Sequence, residues 1–310
     1  MSTVEERLSS IAYSIGWSAV RRMPEKSAYA MFDRVADTMW ARQGKDVKRL
    51  QSNLRRVVGP AVSEDDLKLL GRAGMRTYFR YWCELFRMPG WSEQRIRDEM
   101  VVIGDQYLTE ALDEGKGVIV VCPHMGNWDH AGYWVVVQHG WITTVVERLK
   151  PEDLCQKVIS VRKARGVDII PLTGGEPPFP YLVGRLHEGR IVALAADRDL
   201  SNSGVRVQFF GSAAKMPAGP AALHVETGSP ILPAAVFTKN GRNHMQFFPR
   251  IDVVPNESRM RSIVEITQQI AHVFEGIISE HPEDWHMLQR IWLDDLDPAK
   301  EPIDQKATDR

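Results

Sequence analysis

Cysteine is scarce. Only Cys83, Cys122 and Cys155 occur in 310 residues, with no C-x-x-C or metal-type spacing, which points to a reducing, cytosolic compartment. Long apolar runs are missing too. The longest candidate near the start, LSSIAYSIGWSAV from Leu8 to Val20, falls short of the roughly 20 apolar residues that span a bilayer. Acidic Glu5 and Glu6 precede it and RRMPEK follows it, which is not the pattern of a cleaved leader. A net charge of -1 offers no general case for nucleic-acid binding. No phosphate-cradling G-x-x-x-x-G-K-[ST] occurs: PLTGGEPP at 171–178 is rich in proline and reads as a loop. No H-E-x-x-H pair is present, no internal repeat appears, and His130 of the cluster His124, Asp129, His130 and His139 should point away from His124, so no metal is expected.

What the chain does contain is a core-forming composition, 44% hydrophobic and 25% charged, enough for one large α/β domain. Charge is unevenly placed. Residues 1–60 carry 11 Lys/Arg against 6 Asp/Glu, and residues 281–310 carry 4 against 8. The basic start either faces an anionic membrane surface or is a solvated helical face. Leu8, Ile11, Ala12, Ile15 and Ala19 follow helical spacing, a stripe that suits either lipid or the core.

The first hundred residues read as helical, with 3.6-type periodicity in 27–42 and 63–86, Ser63 standing as an N-cap before Glu64, Asp65 and Asp66. After Gly117 short apolar runs at 117–122, 141–146, 167–172, 191–196, 231–237 and 245–251 read as strands. Helix-like stretches lie at 127–138, 152–165, 179–188, 217–227 and 260–279. The alternation predicts an α/β fold, a single domain over 1–296 with a twisted, mostly parallel central sheet flanked by helices on both faces and a helical N-terminal region. Residues 297–310 read as a flexible tail.

Ligands of open α/β sheets bind at the carboxyl ends of the strands. The first predicted strand delivers His124, the second Glu147 and Arg148, the fourth Asp197, Arg198 and Asp199. On one regular helix His124 and Asp129 would point about 140° apart. They can meet only if His124 precedes the helix and Asp129 lies in its first turn, with Gly126 for an unusual backbone angle and Asn127 as N-cap. A carboxylate on Nδ1 would then leave Nε2 to take a proton from a hydroxyl. A half-buried histidine beside a capping aspartate fits the same residues, and from them alone both readings stand. Cys122, two residues before His124, invites a Cys/His reading, but on a strand it reads as a small buried hydrophobe. Arg162, Lys163 and Arg165 in ISVRKARG either complement a helix C-terminus or grip a phosphate.

HMGNWD fits an H-x4-D signature, and RKARG, ADRDL, FFGSAAKMPAGPAALHVETGSPILPAAVF and HPEDWHMLQRIW follow in order over 115–292. In these segments the chain resembles the bacterial lipid A late acyltransferase family, and within it the branch acting on phosphatidylinositol mannosides. The resemblance implies transfer of palmitate from acyl-CoA, the co-substrate, to a mannose 6-hydroxyl of a mannosylated phosphatidylinositol. It implies no cofactor, and peripheral attachment to the cytoplasmic face of the membrane. It makes His124 the general base and Asp129 its partner. Glu147, Arg162 and Arg165 would hold the sugar and phosphate, Asp197 and Asp199 stand at the family's D-x-D pair, and His281 is a candidate for the acceptor sugar. Another glycolipid or lysophospholipid acceptor, or hydrolysis of acyl-CoA, is the alternative expectation.

Overall fold

The computed structural model describes residues 17–147, 152–172, 177–199, 204–253 and 258–296. The stripe from Leu8 to Ile15, Arg148, the middle of the 171–178 loop and the 297–310 tail lie outside the described residues. After a helical stretch at 17–22, helices α1 (Glu25–Arg42), α2 (Lys45–Val58), α3 (Glu64–Arg87) and α4 (Glu93–Glu99) precede any strand. Ser63 caps α3 by accepting from the Asp66 N–H, and three acids fill the first turn, where the exposed amides favour negative charge.

The chain then alternates through β1 (Met100–Ile103), α5 (Asp105–Asp113), β2 (Val118–Cys122), α6 (Trp128–His139), β3 (Ile142–Val146), α7 (Glu152–Ala164), β4 (Val167–Pro171), α8 (Pro178–His187) and β5 (Ile191–Ala195). It ends with a hairpin of β6 (Val205–Phe209) and β7 (Ser212–Met216), then α9 (Gly219–Thr227), β8 (Ile231–Lys239), β9 (Arg242–Phe247) and α10 (Arg259–Glu280). Seven strands form one sheet in the order β1-β9-β8-β2-β5-β3-β4, parallel at every pairing except β8 with β9. The expected single-domain α/β architecture is the one observed.

Why the central strands are apolar almost throughout is visible in β2. Ile119 and Val121 pack on one face with Ile266, Ile270 and Phe274 of α10. Val118 and Val120 pack on the other with Tyr133 and Trp134 of α6. Successive side chains point to opposite faces, so a strand covered on both sides has no polar positions to spare.

Four strands differ from expectation. β1 is a four-residue edge strand, too short to stand out in sequence. β9 runs over 242–247 and not 245–251, because Asn240 and Gly241 both take positive φ, which makes the tight hairpin turn that sets its register against β8. The β6–β7 hairpin went unpredicted because its turn is Phe210-Gly211, at φ 48° and 73°, and phenylalanine is a poor signal for a left-handed turn position. Among the described residues no helix is long and apolar enough to cross a membrane.

Candidate active site

β2 is the central carrier of the site, and the turn after it is fixed by backbone. Gly126 has φ +57°, and a Cβ there would lie 2.2 Å from the Val236 carbonyl oxygen, so both conformation and close approach require glycine. Asn127 caps α6 through Oδ1, which accepts from the His130 N–H at 2.9 Å, while its amide donates to Glu84 Oε2 at 2.5 Å. Glu84, 1% exposed, also accepts from Tyr29 Oη, Arg80 Nε and Asn243 Nδ2. A buried carboxylate with this many donors is fully satisfied, and it fastens the helix start to α3 and β9. His124 therefore stands before the helix and Asp129 in its first turn, the placement that a pairing of the two would need.

The two do not pair. His124 Nδ1 lies 2.5 Å from Asp197 Oδ1, and the His124 backbone N–H donates to Asp197 Oδ2 at 3.0 Å. Trp285 Nε1 adds a third bond to Oδ2 at 2.8 Å. Asp197 follows β5, the neighbour of β2 in the sheet, so its side chain meets His124 at adjacent strand ends. Burial alone would raise the Asp197 carboxyl, but the His124 charge and these hydrogen bonds outweigh it and hold it below the ordinary value. An ionised carboxylate only accepts, so Nδ1 carries a proton, and in the neutral ring Nε2 then keeps its lone pair. The ring is 23% exposed and packs edge-on against Trp128.

Asp129, expected beside His124, is instead the partner of Arg162. Its oxygens accept from Arg162 Nε at 2.5 Å and Nη2 at 2.8 Å, and Tyr81 Oη donates to Oδ2 at 2.9 Å. The forked guanidinium matches the carboxylate at two points, which a single imidazole nitrogen cannot do. With side chains 4% and 12% exposed, neither ion can turn to water. Asp129→Ala should therefore cost about 3–5 kcal/mol in urea denaturation, because it strands a buried guanidinium. The double variant Asp129→Leu with Arg162→Met should recover much of that loss, and an Asp129→Ala stability within about 1 kcal/mol of wild type would contradict the pairing.

The remaining predicted residues are spread around this centre. Arg165 Nη2 donates to the carbonyls of Met88 and Trp91, tying the end of α7 to the turn after α3. Glu147 is 3.0 Å from Arg198 Nη2, so a site carboxylate is matched by the arginine between the two aspartates. Asp199 anchors its backbone N–H on the Lys215 carbonyl of β7. His281 stacks on Phe237 at 3.8 Å, and partial burial lowers its pKa despite the nearby Glu283 and Glu280. His130 is fully buried between Ile96 and Asn243, and His139 faces Asp105 at 4.0 Å. The histidine cluster suggested by the sequence is thus dispersed. Burial, with Asp197 adding to it, pushes the Cys122 thiol up to about 12, far from a thiolate.

Sequence reasoning missed the closing segment's structural part. Met125 bridges to Trp285, the Gly126 N–H donates to the Asp284 carbonyl at 2.9 Å, and the His286 N–H donates to the His124 carbonyl at 2.8 Å. The part of HPEDWHMLQRIW around Trp285 thus lies antiparallel along the turn after β2. Its tryptophan was the available signal, since a buried indole N–H needs an acceptor. Nothing local marked Tyr81 or Glu84, which meet the site only through tertiary packing of α3.

Asp284 carries a pH prediction. Burial, reinforced by Glu283 and opposed by the Thr238 N–H, pushes its carboxyl up to about 7. A raised folded-state value means stability that is complete below about pH 4 and lost as pH rises through about 7. Asp284→Asn should remove this dependence, leaving the variant on the order of 4 kcal/mol more stable relative to wild type at pH 8 than at pH 4. Denaturation curves at the two pH values check it, and a gap that does not change with pH would contradict it.

Three comparisons bear on this geometry. The model of the bacterial lipid A biosynthesis acyltransferase family matches residues 4–294. The chain is 42% identical over 293 residues to the phosphatidylinositol mannoside acyltransferase of Mycolicibacterium smegmatis, covering 94% of this chain and 93% of that one. It is 41% identical over 304 residues to the phosphatidylinositol mannoside acyltransferase of Mycobacterium tuberculosis, covering 96% and 93%.

Proposed function

The chain belongs to the bacterial lipid A biosynthesis acyltransferase family, and from that premise we propose that it moves a palmitoyl-type chain from acyl-CoA to a mannose hydroxyl of a phosphatidylinositol mannoside. The acceptor class rests on the names of relatives that align over nearly the whole of both chains. The observation that carries the chemistry is the His124 imidazole with Nδ1 held on Asp197, which presents Nε2 to substrate as a base.

In this mechanism the mannose O–H gives its proton to His124 Nε2 as its oxygen attacks the thioester carbon. The carboxylate of Asp197 stabilises the imidazolium, and backbone N–H groups at the start of α6 receive the oxyanion. The C–S bond then breaks, the new ester remains on mannose, and the imidazolium returns the proton to the departing thiolate. No acyl-enzyme is needed: the Cys122 thiol stays protonated. Glu147 and Arg198 line the strand ends near this point and would contact the sugar and its phosphate. Asp129 and Arg162, paired in the interior, tie the first turn of α6 to α7. Catalysis takes place at the cytoplasmic face of the membrane, to which the basic N-terminal region attaches the protein peripherally.

The test is a labelled palmitoyl-CoA assay with mannosylated phosphatidylinositol, phosphatidylinositol without mannose, and a lysophospholipid as acceptors. Label should enter the mannosylated lipid alone. Equal thioester loss with no acceptor would make the protein a hydrolase, and label in the lysophospholipid would move it to another acceptor class.

A further inference from the structure

Beside His124 lies a second imidazole to which the mechanism above gives no task. His286 is 8% exposed, and neither Nδ1 nor Nε2 has a hydrogen-bond partner among the described residues. Its ring sits among Tyr78, Tyr81 and Trp128, with centroids 5.6, 6.1 and 5.8 Å away. Trp128 is in turn 5.8 Å from the His124 ring, and the His286 backbone N–H holds the His124 carbonyl. An apolar ring would fill this cage equally well. A buried polar group left unpaired costs about 1–3 kcal/mol, so a histidine here calls for a polar partner supplied from the site.

We propose that His286 is an acceptor-positioning residue, hydrogen-bonding a hydroxyl of the acceptor sugar next to the one deprotonated by His124. The inference rests on the sugar-acceptor reading above. A neutral imidazole offers one donor and one acceptor, the pair that a hydroxyl answers. Burial, with the His124 charge adding to it, lowers the His286 pKa to about 3, so the ring stays neutral throughout the working range and gives the site a polar contact without a second charge near the base. A hydroxyl lost from such a contact is discriminated more strongly than a lost methylene, because the protein group is left unpaired.

The test separates acceptor from donor. His286→Phe should raise KM for mannosylated phosphatidylinositol about 10-fold or more, with KM for palmitoyl-CoA within about two-fold of wild type. His286→Asn, which keeps a donor and an acceptor, should restore part of the acceptor KM. An unchanged acceptor KM in His286→Phe would overturn the proposal, as would a loss shared equally by acceptor and donor parameters. A measurement on the wild-type protein stands apart from any folding defect: saturating methyl α-mannoside should shift the His286 imidazole nitrogen resonances, and no shift would overturn the assignment. Wild-type protein that acylates no mannoside at all would instead remove the sugar-acceptor reading itself.

Discussion

Replacing His124 by alanine is expected to reduce acyl transfer by about 10³-fold or more while leaving acyl-CoA binding intact. The size follows from the role. Without a base, the mannose hydroxyl must attack while keeping a proton of very high pKa, and no other side chain described near β2 can take its place. Asp197 is engaged through both oxygens, Cys122 stays a protonated thiol, and His286, whose pKa burial lowers to about 3, is too weak a base to replace His124. Because His124 meets Asp197 beyond the carboxyl ends of β2 and β5 and its ring is partly exposed, the truncation leaves no large cavity and the fold should survive. Titration with a non-hydrolysable acyl-CoA analogue checks binding, and single-turnover transfer checks chemistry. Residual transfer within tenfold of wild type would require another base.

The second large effect concerns Asp197. Asparagine is nearly the same size, and its carbonyl oxygen can keep the bonds from the His124 N–H and Trp285 Nε1 at the Oδ2 position. Its NH₂ then occupies the Oδ1 position and meets His124 Nδ1 as a donor. The imidazole must answer with a lone pair on Nδ1, which puts the proton on Nε2 and removes the base. Asp197→Asn should therefore lose about 10³–10⁴-fold in turnover, as a carboxylate-to-amide change beside a catalytic histidine does through the wrong tautomer. Thermal denaturation should show a folded protein. Alanine at the same position would confuse this result, since it also strands the buried Trp285 N–H. Asp129→Asn offers the contrast: it weakens the tie to Arg162 and Tyr81, so its first effect is on stability.

How the sequence led to the site, and where it stopped, can be followed in these two aspartates. The order apolar strand, Gly126, Asn127, helix is written locally, because a positive φ, a close backbone approach and an N-cap each demand a residue type. Helical geometry put His124 before the helix and Asp129 within it as the condition for their pairing; the placement is observed, although the two do not pair. Which carboxylate reaches the imidazole is not written locally, because Asp197 is 73 residues away and arrives only through the pairing of β2 with β5. Arg162 is likewise distant from Asp129, and the competition between a forked guanidinium and a single ring nitrogen is settled by packing. Ser63 shows the opposite case, a cap legible at once because donor and acceptor lie three residues apart. The β6–β7 hairpin shows a local signal that misleads, with Phe210 in a conformation that usually belongs to glycine or asparagine.

The most direct measurement of the central claim, that Asp197 holds His124 with Nε2 free to act as a base, is the nitrogen NMR spectrum of the His124 imidazole in the neutral form. The expected result is a protonated Nδ1, hydrogen-bonded to Asp197, and an unprotonated Nε2. A protonated Nε2 with a bare Nδ1 would contradict it, since that tautomer has no lone pair to offer the acceptor hydroxyl.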